Sequence, residues 1–337
     1  MHLENSPRSL ILFPGALGDF ICFLPTLNRI ARSSRVDLFA RVEFADLVSS
    51  QVYLRSVDSY EIRRLFVRGG ANDEPVKKFF ACYDVVYSWM GSGVADFTAQ
   101  LMSLTQGRAC LFPFRPPGGG IHQSDYFLRC VGAPSMAAFP RISVKADALH
   151  WCEAYWRQHS LCDKPVLALA PGSGAREKNW PVPGFAAVAQ WWRQRTRGSV
   201  IVIIGPVEEE REGYDLLYRE GLQARNLSLA RLAGLLSLCN LYLGNDSGLT
   251  HLAAAVGAPS FALFGPSDVV QWAPRGKHVT TLTRHEACSP CTVATMKGCL
   301  HRSCLTGMEP VTVVRQLEQV SIVPTLTRGR PRISVKH

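Results

Sequence analysis

Apolar residues along the chain fall into short runs that alternate with stretches of helical spacing. Ser9 to Phe13 is an apolar run of strand length, followed by the turn Pro14-Gly-Ala-Leu-Gly-Asp19. Phe20, Phe23, Leu24, Leu27, Ile30 and Ala31 then recur at three- and four-residue intervals, which puts them on one face of a helix. Pro25 lies inside that pattern, where it either kinks the helix or marks its proper start. Strands are predicted again at Val36 to Ala40 and Asp84 to Ser88. The segment Leu111 to Gln123 carries Pro-Phe-Arg-Pro-Pro-Gly-Gly-Gly and reads as a loop, because a Gly-Gly-Gly run after paired prolines has no place inside an element. Asp147 to Gln158 reads as a helix, and the short polar stretch His159 to Lys164 as an interdomain linker.

The pattern then restarts. Val166 to Ala170 is a strand, Pro171-Gly-Ser-Gly174 a turn, and Phe185, Val188, Ala189 and Trp192 mark a helix that stops near Gly198. Val200 to Ile204 is a strand, Gly205-Pro-Val-Glu-Glu-Glu210 the loop after it, and Ala230 to Cys239 a helix. In Leu241 to Pro266 a short apolar run meets a polar turn, a helix of small residues and a second apolar run. Asp246 or Ser247 caps that helix, Gly257 ends it and Pro259 keeps it from continuing. Short runs with few polar residues are how parallel strands buried on both faces look. Both halves open strand, glycine turn, helix. The expected class is α/β, with two Rossmann-like domains whose parallel sheets face each other across a cleft at the C-terminal strand ends. The expected boundaries are 1–162, 163–322 and a basic tail, 323–337.

Length agrees, since 337 residues make two domains of about 150 each. An apolar content of 47% supports two cores, and 19% charged residues argues against disorder. The net charge of +10 suits an anionic partner. No basic-aromatic cluster and no nucleic-acid-binding motif is present, so nucleic acid is not expected. Arg328, Arg330, Arg332 and Lys336 form a solvated tail that could lean on anionic lipid headgroups. Met1 to Ser9 lacks the apolar core of a signal peptide, and the uncharged run Ser247 to Ser267 is broken by Gly-Ala-Pro. The expected location is the cytoplasm, peripheral at most to the inner face of the membrane.

Several chemistries are excluded by spacing. Neither glycine turn reads G-x-G-x-x-G, and no phosphate loop of the G-x-x-x-x-G-K-[ST] type occurs. There is no G-x-S-x-G elbow. No two aspartates stand two positions apart, so a metal–diphosphate clamp is absent. Donor phosphate charge would then be met by Lys, Arg and helix N-termini.

Gly15-Ala-Leu-Gly-Asp19, Pro171-Gly-Ser-Gly-Ala-Arg-Glu-Lys-Asn-Trp-Pro181, Asn245-Asp-Ser-Gly-Leu-Thr-His251 and Phe264-Gly-Pro-Ser-Asp268 occur in one order at wide spacing. The ordered set resembles the lipopolysaccharide heptosyltransferases, glycosyltransferase family 9. The resemblance is strongest over about 165 to 275. It implies a GT-B fold and a metal-independent, inverting transfer from a nucleotide-activated heptose, typically ADP-heptose, to a lipid-anchored oligosaccharide acceptor. It puts the general base on Asp19, behind Gly15 and Gly18; an aspartate there also suits the cap of the next helix. It puts the donor phosphates on Lys178 and Ser173, the ribose on Glu208, and the donor on Asp246. The backbone N–H groups of Ser247, Gly248, Leu249 and Thr250 are aligned to meet the diphosphate. His251 lies one turn into the helix and suits holding the turn as well as touching phosphate. Gly174 stands where family members carry a hydroxyl.

Eleven cysteines are present. Seven are scattered and read as reduced, small apolar residues. Cys288, Cys291, Cys299 and Cys304 cluster with a spacing that admits a structural zinc or, less typically, an iron–sulfur centre. No cofactor is expected for catalysis. The rival readings are a nucleotide-sugar epimerase of the same fold and a catalytically silent nucleotide-sugar binder.

Overall fold

A computed structural model describes residues 6–134, 139–210 and 212–319. The chain divides into two compact units, 1–138 and 139–337. The division falls before the linker expected at 159–164. The helix ahead of that stretch belongs to the second unit, where Cys152 Sγ lies 3.6 Å from the Arg231 carbonyl. The tail at 323–337 lies outside the described residues.

The first unit carries strands β1 (Arg8–Leu12), β2 (Arg35–Ala40), β3 (Val52–Ser56), β4 (Val85–Ser88) and β5 (Ala109–Leu111). They form one parallel sheet in the order β3-β2-β1-β4-β5. Its longer helices are α1 (Leu17–Ala31), α2 (Glu74–Ala81), α3 (Ala95–Leu104) and α4 (Gln123–Cys130). α1 runs through Pro25 as one helix. A proline inside a helix costs about 3 kcal/mol. The buried face Phe20, Phe23, Leu24 and Leu27 offsets that, at about 1.5–3 kcal/mol per buried side chain. Phe13, just past β1, stacks on Phe23 at 4.4 Å between ring centres and meets Phe127 of α4 at 5.6 Å. This aromatic cluster seats the turn after β1.

The second unit carries β6 (Val166–Ala170), β7 (Ser199–Ile204), β8 (Leu222–Arg225), β9 (Leu241–Asn245), β10 (Ser260–Phe264) and β11 (Val279–Thr283). All pair in parallel, in the order β11-β10-β9-β6-β7-β8. Its longer helices are α5 (Ala146–Gln158), α6 (Val182–Thr196), α7 (Leu229–Leu238), α8 (Gly248–Ala255) and α9 (Pro310–Gln319). Every residue of β6, β9 and β10 is buried, as their continuous apolar runs require. The segment after β7 is not the plain loop expected: Pro206–Glu209 forms one helical turn that begins on proline, whose missing N–H is no loss there.

Counted within the second unit, the strand order is 3-2-1-4-5-6, with reversal between β6 and β9. Connections leave those two strands in opposite directions, which opens a crevice at their C-terminal ends. β1 and β4 make the same switch in the first unit.

Candidate functional site

In the first unit, β1 delivers the chain to α1 through Gly15 and Gly18. A Cβ at Gly15 would stand 2.5 Å from the Phe13 ring and 2.8 Å from Asp19 Cβ, so only glycine lets the turn close on the aspartate. Asp19 is buried, 8% exposed, in the first turn of α1. Its Oδ2 accepts the Ala16 N–H at 3.3 Å, the cap contact that an aspartate there was expected to make. Its Oδ1 accepts from Arg115 Nη1 at 2.6 Å. Arg115 comes from the Pro-Phe-Arg-Pro-Pro loop, where no residue pattern signals an ion pair.

In the second unit, β6 leads into the Pro171 to Pro181 segment and β9 into the first turn of α8, side by side at the switch. Asn245, fully buried at the end of β9, joins the two segments. Its Nδ2 donates to the Pro171 carbonyl at 2.7 Å, and its Oδ1 accepts the Trp180 N–H at 2.9 Å. Next to it, Asp246 accepts from Lys178 Nζ at 2.7 Å; the aspartate side chain is 8% exposed and the lysine side chain 30%. The structure thus brings together two residues that the sequence singled out separately.

Ser247 is the N-cap of α8, its Oγ accepting the Thr250 N–H at 3.4 Å. The Thr250 and His251 N–H groups both point to the Ser247 carbonyl, at 3.1 and 3.3 Å. Gly248 and Leu249, in the helix's first turn and partly exposed, are the better placed to offer amides to an anion. The Thr250 hydroxyl is turned into the core, where it meets the Tyr242 hydroxyl at 2.9 Å and the Asn245 carbonyl. Tyr242 is fully buried, which raises its phenol well above the usual range. A Cβ at Gly244 would lie 2.2 Å from that hydroxyl. His251, expected to hold the turn or touch phosphate, is buried, at 4% exposed.

Ser173 Oγ lies 2.6 Å from both the Ala175 carbonyl and Asn179 Oδ1, so its hydroxyl shapes the turn. Glu208 reaches back along the C-terminal edge of the sheet. Its Oε2 accepts the Gly205 N–H at 2.8 Å, and its Oε1 lies against Gly172, where a Cβ would come within 1.6 Å. Gly172, Ser173, Lys178, Glu208 and Asp246 therefore share one edge of the second sheet. Asn245, Asn179 and Arg115 were not among the expected site residues. Asn245 and Arg115 act through partners distant in sequence, a relation that residue type and spacing do not carry, and Asn179 acts within its own turn on Ser173.

Cys288, Cys291, Cys299 and Cys304 line one cavity of about 10 Å³ together with Met296 and His301. Burial raises the Cys304 thiol, and proximity to Cys291, Cys288 and Cys299 adds to it. Even so, among the described residues no group of three or more His, Cys, Asp or Glu side chains is arranged to hold a metal ion. Of the other cysteines, Cys22, Cys152 and Cys239 are buried, and burial pushes the Cys152 thiol up to about 12.

Two parallel Rossmann-like sheets, each with its loops at a switch point, define an α/β protein of the GT-B class. A glycosyltransferase family 9 protein from Veillonella parvula shares this fold with a TM-score of 0.74, covering 96% of this chain and 99% of that one at 18% identity. The Escherichia coli ADP-heptose lps heptosyltransferase II does so with a TM-score of 0.69, covering 94% and 99% at 17% identity. In sequence, the model of glycosyltransferase family 9 (heptosyltransferase) matches residues 125–300, more than half of the chain, and the chain belongs to that family. Lipooligosaccharide heptosyltransferase 2 of Campylobacter jejuni is 29% identical over 167 residues, 47% of this chain and 51% of that one. The chain spans about half the length of the curated relatives it matches. Among the described residues no helix is long and apolar enough to cross a membrane.

Proposed function

We infer that the chain is a glycosyltransferase that moves heptose from ADP-heptose to a lipopolysaccharide-core-type acceptor, by a single inverting displacement that needs no metal. The observation that carries this reading is the Lys178–Asp246 pair beside the first turn of α8, at the switch of a 3-2-1-4-5-6 sheet. A buried carboxylate orients the ammonium, and helix amides stand next to it, so the site offers fixed positive charge to a diphosphate. Family membership and the donor in the name of the Escherichia coli relative support ADP-heptose.

In this mechanism Asp19 takes the proton of the acceptor hydroxyl as its oxygen attacks the anomeric carbon. The bond from that carbon to the donor diphosphate breaks on the opposite face, and its electron pair leaves with the ADP. Lys178 and the Gly248 and Leu249 amides meet the charge that grows on the diphosphate. Glu208 accepts from the ribose hydroxyls. Asp246 holds Lys178, and Ser173 and His251 keep the turns that present these groups. The net charge of +10 suits an acceptor rich in phosphate at an anionic membrane surface, which the chain would touch peripherally.

A structural metal at the four cysteines is a second reading, favoured by their convergence on one small cavity. Thiolates bind zinc or iron, and a cation there would remove the mutual opposition of the four charges. The side chains would have to close in from where they stand.

The test is ADP release from ADP-heptose with and without acceptor, run in chelator. The expected results are acceptor-dependent release that the chelator leaves unchanged, thermal stabilisation by ADP-heptose over UDP- and GDP-sugars, and about one zinc or iron per chain. Acceptor-independent conversion of the sugar would establish the epimerase reading. Stabilisation without any turnover would establish the silent binder. Metal-free purified protein would remove the metal reading alone.

A further inference from the structure

The loop that follows β5 is anchored residue by residue up to Arg115. The Phe112 N–H donates to the Ser88 carbonyl at 2.8 Å, which continues the β4–β5 pairing. Tyr126 of α4 donates its hydroxyl to the Pro113 carbonyl at 2.5 Å, and Gln123 Nε2 donates to the Phe114 carbonyl at 3.2 Å. Gln123 is fully buried and its Oε1 has no hydrogen-bond partner, so this amide is held in an apolar setting to serve one loop carbonyl. The Phe114 ring packs on Phe13 at 5.7 Å, and the Arg115 guanidinium lies over the Phe114 ring at 4.3 Å from its centre. Beyond Pro116 and Pro117 the character changes. Gly118, Gly119 and Gly120 all have positive φ, and a Cβ at any of them would meet nothing.

The anchoring thus ends on one side chain, and that side chain ends on Asp19. Arg115 Nη1 holds Oδ1 at 2.6 Å while the Ala16 N–H holds Oδ2 at 3.3 Å. A carboxylate gripped at both oxygens cannot rotate, yet each oxygen retains a further lone pair to accept a proton. A surface ion pair is usually worth little because two long side chains must be ordered for it. Here the aspartate is nearly buried and the arginine, although its side chain is 46% exposed, is laid on an aromatic ring that restricts it.

The geometry points to Arg115 as a positioning residue for the transfer step: its guanidinium fixes the Asp19 carboxylate in the orientation from which it accepts the acceptor proton. This rests on the reading of Asp19 as the base. In this proposal the effect of Arg115 on the reaction passes through the carboxylate.

The test uses the full chain with ADP-heptose and a lipopolysaccharide-core acceptor. Arg115→Ala is expected to lower kcat about 100-fold, the size of effect that a misplaced catalytic group produces, with the donor KM and the melting temperature close to wild type. Arg115→Lys is expected to recover only part of the rate, because an ammonium lacks the planar fork. Guanidinium ion added to Arg115→Ala, at a concentration well below that which unfolds it, is expected to restore at least 10-fold of the rate, with sodium chloride at equal ionic strength as control. A loss confined to the acceptor KM would make Arg115 an acceptor-binding residue and overturn the proposal. So would an unchanged kcat, or a loss that guanidinium does not rescue. Wild-type activity in Asp19→Asn would overturn the base reading itself, which the Arg115 variants do not test.

Discussion

Lys178 and Asp246 stand 68 positions apart and meet at 2.7 Å. Each was visible in the sequence as a charged residue in a turn, but their pairing was not, because it depends on β6 and β9 lying side by side. The same holds for Arg115 and Asp19, 96 positions apart. Lys178→Met leaves the Asp246 carboxylate, 8% exposed, without its cation. We expect this to cost about 1–3 kcal/mol, read as a lowered melting temperature. Donor KM should rise at least about 10-fold as the diphosphate loses a charge-assisted contact. The double variant Lys178→Met/Asp246→Asn should regain most of the stability and none of the donor affinity. Normal donor affinity in either variant would show that Lys178 does not meet the diphosphate.

At the scale of elements, legibility followed burial. β6, β7, β9 and β10 are apolar almost without interruption because helices cover both faces of the sheet, and their positions were read within a residue or two. β3, β8 and β11 were missed. β3 alternates Val52 inward with Tyr53 at 62% exposure, and β8 alternates apolar Leu222 and Ala224 with exposed Gln223 and Arg225, because both are at a sheet edge. β11 is the opposite edge and is only half-buried along its length. β5 has three residues, too few for a periodicity. The turns at the switch are held by Asn245, whose two hydrogen bonds satisfy one donor and one acceptor of the loop after β6. Asn245→Ala leaves both buried groups without partners. It should destabilise the chain by about 2–4 kcal/mol in denaturant titration, with faster proteolysis inside 171–180. Unchanged stability would mean that the loop is held by Trp180 packing alone.

At the scale of the molecule, repetition of strand, glycine turn and helix made the doubled Rossmann architecture readable. The boundary between the two units was not. The helix Ala146–Gln158 looks like the end of the first domain because it precedes a polar stretch, but its Ala148, Cys152 and Trp156 face is buried in the second unit. The acceptor's identity is likewise absent from any motif of the sequence. In the proposed mechanism the carboxylate of Asp19 drives an inverting transfer. The most direct measurement is single-turnover transfer by Asp19→Asn, which keeps the shape and the Ala16 contact while removing the basic oxygen. We expect ADP-heptose binding within about twofold of wild type and transfer slower by about 100-fold or more. Transfer at the wild-type rate, with donor bound equally well, would contradict it.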